Sequence, residues 1–172
     1  MAGILGKAAA ILAAAAGTAL LTAGWAAPGD PSGTQRFVFT THSTAAMPVY
    51  HAVASGVFSA TGTVQPTSKA PTAPLKATFP GGTFLIHQVS AGKESGTIDP
   101  KTCAAAYTNT GAKYTIGSGT GKYKGIKGDG TANLKFTGTL PKLSNGKCDE
   151  SPSATPTAAS SVVRASGPVT LP

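Results

Sequence analysis

The run GSGTGKYKGIKGDG, from Gly117 to Gly130, holds six glycines and three lysines, residue types that can cradle a phosphate. A Walker-type loop also needs Ser or Thr directly after its lysine, to reach a magnesium ion. Here Gly121–Lys122 is followed by Tyr123. The dinucleotide spacing G-x-G-x-x-G fails as well: Lys122 stands where Gly117 and Gly119 require the third glycine, and Lys124 where Gly119 and Gly121 require it. GIKGDGTA is a poor helix former, so no helix follows to complete either motif. The same residues make a better structural turn. Gly119, Gly121, Gly125, Gly128 and Gly130 permit positive φ and close backbone approach. Asp129–Gly130 is a hairpin signal ahead of a strand from Thr131. Tyr123 and Ile126, the large apolar residues of the stretch, are expected to fasten it over one end of a core, with the lysines in solvent.

Three histidines, His42, His51 and His87, would suit zinc if the fold gathered them, but no two have the close spacing of a ligand pair. The plainer expectation has His42 capping a strand end and His51 as a partly buried hydrogen-bonding residue. His87 points inward with Leu85 and Val89, or outward if Phe84 and Ile86 form the core face. His51 and His87 are the candidates for ligand contact. Serines abound, but no G-x-S-x-G elbow marks a nucleophile. Beyond Asp30 the acids are Glu94, Asp99, Asp129, Asp149 and Glu150, all expected in turns or at the domain's end. Tyr50, Tyr107, Tyr114 and Tyr123 read as packing residues with a wet hydroxyl. No catalytic, metal or cofactor set emerges from these residues.

Residues 1–26 read as a secretory signal peptide. Lys7 precedes AAAILAAAAGTALLTAG, an uninterrupted stretch of about 17 residues, short of the roughly 20 that span a bilayer. Gly24 and Ala26 are the small residues that a signal peptidase requires, which places the cut after Ala26. The competing reading is an uncleaved anchor, which the lack of a basic stop-transfer cluster disfavours. Export implies an oxidising compartment, where the two cysteines, Cys103 and Cys148, are expected to form a disulfide. Neither has a C-x-x-C neighbour or nearby histidine to suggest a metal pair.

The formal charge is +8, yet only 12% of the residues are charged and the lysines are scattered. That excludes a specific nucleic-acid groove. It leaves electrostatic attraction to an anionic cell-surface polymer as a partner class. The chain divides into a leader at 27–33, an ordered domain at 34–149, and a Ser/Ala/Pro/Thr-rich tail at 150–172 expected to be disordered.

Within 34–149, two-residue alternation dominates and helical periodicity is nearly absent. QRFVFTTH alternates about Phe37 and Phe39. MPVYHAVASGVFSATGTV reads as one long run, with a bulge or close backbone approach at Gly56. LKATFP ends at Pro80, and GGTFLIHQVS follows. GTIDPKTCAAAYTNTG gives two strands about a turn at Asp99–Pro100. AKYTIGSG pairs Tyr114 with Ile116, and GTANLKFTGTL sets Ala132, Leu134 and Phe136 on one face. About eight strands with turns every 8 to 15 residues predict an all-β sandwich or closed barrel.

The run GTGKYKGIKGDGT, with FTTHSTAAMPVYHAVASGVFSATGTV, FPGGTFLIHQVSAG and DPKTC, resembles the allene oxide cyclase and dirigent-like barrel proteins. It is most similar to small secreted actinobacterial members of that superfamily. The resemblance covers roughly Phe37 to Leu140. It implies an antiparallel eight-stranded, calycin-like β-barrel with a largely apolar cavity. It transfers no catalytic residue, because the matched positions are structural glycines and tyrosines. The expected function is a secreted, non-catalytic barrel that binds a small apolar ligand or a cell-surface component. A cyclase- or dirigent-type enzyme acting on an apolar substrate, and an extracellular matrix or interaction protein that self-associates, are the alternatives.

Overall fold

Residues 30–70, 72–151 and 154–172 are described by a computed structural model. The signal peptide expected at 1–26 lies outside them. Among the described residues nine strands follow in order: β1 (Ser32–Thr41), β2 (Tyr50–Ser55), β3 (Ala60–Pro66), β4 (Leu75–Phe79), β5 (Gly82–Ser90), β6 (Lys93–Ile98), β7 (Ala104–Gly117), β8 (Lys127–Thr139) and β9 (Ala158–Thr170). Among the described residues a single 3-10 turn, Gly121–Tyr123, sits between β7 and β8. Every pairing is antiparallel, in the order β5-β4-β3-β2-β1-β9-β8-β7. Pairing of β5 with β7, through Leu85 with Gly117 and Ile86 with Ile116, closes these eight strands into a barrel. The ninth, β6, continues the line of β5 along the first half of β7.

Two expected boundaries are corrected. Residues Ser32 and Gly33 of the supposed leader open β1. More consequentially, the expected disordered tail contains β9, which pairs with β1 from Ser161 to Thr170 and with β8 from Ala158 to Thr170. The physical reason is that a closed barrel leaves no edge: β1 and β8 each need a partner for their backbone donors and acceptors. Backbone pairing on both sides holds β9 despite its low apolar content.

The run about Gly56 is likewise two strands rather than one. Gly56 takes φ +129°, and a Cβ there would collide with the Thr34 carbonyl oxygen, so the chain turns sharply into the β2–β3 corner. Gln35, fully buried, holds that corner. Its Nε2 donates to the Phe58 carbonyl at 3.1 Å, and its Oε1 accepts from the Phe58 N–H at 3.0 Å. Conversely, the two expected strands in TCAAAYTNTG and AKYTIGSG are one. A bulge between Asn109 and Ala112, where Gly111 has φ +77° and donates its N–H to Asn133 Oδ1, resets the alternation. Tyr107, Asn109, Ala112, Tyr114 and Ile116 are therefore all buried on the inward face.

The two barrel ends differ. At one, Phe37, Phe58, Phe79, Phe84 and Tyr123 form an aromatic plug, with Phe58–Tyr123 and Phe84–Tyr123 ring centroids 5.1 and 5.5 Å apart. The glycine-rich stretch crosses this end. Thr120 and Lys122 donate backbone N–H bonds to Thr83 and Gly81, and Tyr123 and Ile126 are buried. Gly121 (φ +57°) lies against the Gly81 carbonyl, where a Cβ would not fit. At the other end, the long connections β1–β2, β3–β4 and β8–β9 form a rim. The Cys103–Cys148 disulfide (Cα–Cα 5.4 Å) ties the β8–β9 connection to the β6–β7 turn.

Candidate functional site

The rim surrounds a cavity of about 580 Å³, within the range of small-molecule sites. Strand alternation supplies its walls: Thr41 from β1, Tyr50 from β2, Leu75 from β4, Leu134 and Phe136 from β8, and Ser161 from β9. The β3–β4 connection contributes Ser68 and Lys69, and Lys69 is the charged residue among the described lining. Thr41 and Ser161 are direct cross-strand partners. The Thr41 hydroxyl is occupied locally, donating to the Val49 carbonyl at 2.9 Å and accepting from the Ser43 N–H at 3.3 Å. Burial pushes the Tyr50 phenol up to about 12, with a hydrogen bond from Ser161 opposing the rise. At neutral pH it is therefore an uncharged hydroxyl.

Toward the aromatic plug the cavity adjoins a smaller pocket of about 40 Å³, the two sharing Ala73, Leu75 and Leu134. Phe37, Phe39, Ile86 and Val163 wall this inner pocket, together with Gln88 and Tyr114. Tyr114 is 4% exposed and lies across Gly130, where a Cβ would come within 2.7 Å of its hydroxyl oxygen. Burial, then the charge of Asp129, raises its phenol to about 12.

The histidines do not contribute to this site. On β2 the inward positions are Tyr50, Ala52 and Ala54, which places His51 outside and exposed. On β5 Phe84 and Ile86 face the core, so His87 takes the outward alternative. His42 lies exposed in the β1–β2 connection. Among the described residues no group of three or more His, Cys, Asp or Glu could hold a metal ion. Two acids expected in turns lie in strands: Glu94 in β6 and Asp129 in β8, both exposed. Glu94 Oε1 accepts from Asn109 Nδ2 at 3.2 Å. Burial first, and then the adjacent Glu94, hold the Tyr107 phenol well above its ordinary range. Neither Tyr107 nor Asn109 lines the cavity.

The polar residues Tyr50 and Ser161 of the cavity, and Gln88 and Tyr114 of the inner pocket, were not expected as site residues from the sequence. The available signal was their phase. Each shares a strand face with core residues, but for Ser161 that face could be assigned only once β9 was known to be a strand.

The architecture is a closed eight-stranded antiparallel β-barrel, consistent with calycin-like and allene oxide cyclase-like barrels in general. No family model matches the chain, and no curated protein or solved structure matches it either. Among the described residues, no helix is long and apolar enough to cross a membrane.

Proposed function

We propose that this is an exported barrel that binds a small, predominantly apolar molecule in its open end. The observation that carries this reading is the 580 Å³ cavity, which runs between apolar strand residues to the inner pocket. Export is supported by the N-terminal sequence 1–26 and agrees with the Cys103–Cys148 disulfide, a bond favoured in oxidising compartments. The closed aromatic end gives the cavity a floor, so a ligand enters and leaves through the rim.

A catalytic use of the same cavity would have to rest on Tyr50 or Tyr114. Both phenols stay protonated far above neutrality, so they donate hydrogen bonds but are poor proton acceptors there. Binding is the better-supported reading. The test is fluorescence enhancement of N-phenyl-1-naphthylamine, a dye that brightens in apolar sites. The full chain should bind it saturably, and Ala159→Trp, which fills the cavity from β9, should abolish the signal while the barrel stays folded. Equal enhancement by both proteins would sink the reading. Protein recovered from an exporting host should begin at Ala27, and an intact residue 1 would contradict export with cleavage.

A further inference from the structure

Two residues that line the inner pocket each carry a buried polar atom that the fold itself does not pair. Gln88 Oε1 and the Tyr114 hydroxyl are buried, and neither has a hydrogen-bond partner among the described residues. The two residues are direct cross-strand partners on β5 and β7 and both line the inner pocket, with the Tyr114 hydroxyl leaning over Gly130 of β8. On the same amide, one Nε2 hydrogen donates to the Ser90 carbonyl at 2.9 Å. A buried polar group left unpaired costs about 1–3 kcal/mol. Two of them in one pocket whose other walls are apolar mark a place where something else supplies the bonds. The pocket's 40 Å³ suits one water-sized group.

We propose that Gln88 and Tyr114 form the polar end of the ligand site and select an apolar molecule carrying a terminal hydroxyl. This rests on the cavity reading above. An amide oxygen only accepts, whereas a phenol both donates and accepts. One ligand hydroxyl satisfies both, donating to Gln88 Oε1 and accepting from Tyr114. An ether or ketone brings no donor for Gln88. A carboxylate would carry its charge into an apolar pocket with no cation in its walls, close to a tyrosine that already feels Asp129. A plain hydrocarbon leaves both atoms unpaired. Sites built to bond a hydroxyl discriminate sharply against analogues lacking it.

The experiment is displacement of N-phenyl-1-naphthylamine from the full chain by three competitors of matched length: 1-decanol, its isomer methyl nonyl ether, and decanoate. The alcohol should displace the dye at a concentration at least about tenfold lower than the ether, the difference one buried hydrogen bond makes. Gln88→Met should remove most of that preference, whereas Tyr114→Phe should weaken alcohol and ether alike, because both accept from the phenol; saturable dye binding by each variant shows that it folds. Equal displacement by alcohol and ether, a preference that survives Gln88→Met, or tightest binding of decanoate would each overturn the proposal while the dye signal leaves the cavity reading standing. A dye that never binds would overturn both.

Discussion

The side-chain amide of Gln35 pairs with both backbone groups of Phe58, 23 positions away, and so acts as a stretch of strand where the β2–β3 corner leaves the sheet. The bond positions more than a loop. Phe58 packs edge-on to Phe37, Phe79 and Phe84 and against Tyr123, so the corner carries one ring of the plug.

Gln35→Leu keeps the volume and removes both bonds, leaving the Phe58 N–H and carbonyl unpaired at a buried corner. The expected loss is about 3 kcal/mol of unfolding free energy, read as a lower urea midpoint at unchanged slope. A loss under about 0.5 kcal/mol would mean that water replaces the amide without penalty. Gln35→Glu should also destabilise, because its carboxylate accepts from the Phe58 N–H and repels the carbonyl.

The disulfide offers an independent test at the opposite end. Cys103 and Cys148 are 45 residues apart in sequence and join the β6–β7 turn to the hairpin closed by the Lys142–Cys148 bridge. In the chain-entropy account, a loop of that size contributes roughly 4 kcal/mol. The double variant Cys103→Ser, Cys148→Ser should lose about 2–4 kcal/mol, with faster amide exchange in residues 140–149. Exchange that stays slow there while global stability falls would show that the hairpin holds itself.

The apolar alternation of β1, β4, β5 and β8 was legible from sequence because their inward faces carry large residues, such as Phe37, Phe79, Phe84 and Leu134. β9 was not, because AASSVVRASGPVT offers little volume to read. Its structure explains the economy. Gly167 lies so close to the Asp129 carbonyl that a Cβ would not fit there. Pro168, which has no N–H, falls where the β8–β9 pairing skips from Gly128–Val169 to Thr131–Ser166. What makes β9 a strand is nonlocal: two neighbours with unfilled hydrogen-bonding edges. The glycine stretch shows the converse case. Its turn chemistry is local and was readable as far as Ile126, including the burial expected of Tyr123 and Ile126, but the hairpin expected at Asp129–Gly130 is instead part of β8, paired with β7. The site residues fall between these cases, because which polar side chains border a void depends on loop lengths and on closure.

That account predicts the effect of truncation. Removing residues 150–172 should abolish cooperative unfolding, not merely trim a dispensable tail, because β1 and β8 lose a partner along their length. A synthetic peptide spanning 158–170, added in trans, should restore the β-sheet circular dichroism. A truncated chain that melts like the full one would refute the central place of β9.

The buried tyrosines set a limit at high pH. Tyr50 and Tyr114 are both pushed up to about 12 from an ordinary value of 10.0, chiefly by burial, and Tyr107 is raised further by burial and Glu94. For an acid whose folded pKa is raised, the unfolded chain releases its proton first. The stability linked to that proton is complete below about pH 10 and is lost as pH climbs toward the folded value. The barrel should therefore unfold in alkali between about pH 10 and 12, with phenolate absorbance rising in the same cooperative step as the loss of β-sheet signal. Tyr114→Phe removes one of these protons and a hydroxyl that has no protein partner. It should move the alkaline midpoint upward and hold or raise stability at neutral pH. A phenolate titration complete near pH 10 while the sheet signal persists would show that these hydroxyls reach solvent in the folded barrel.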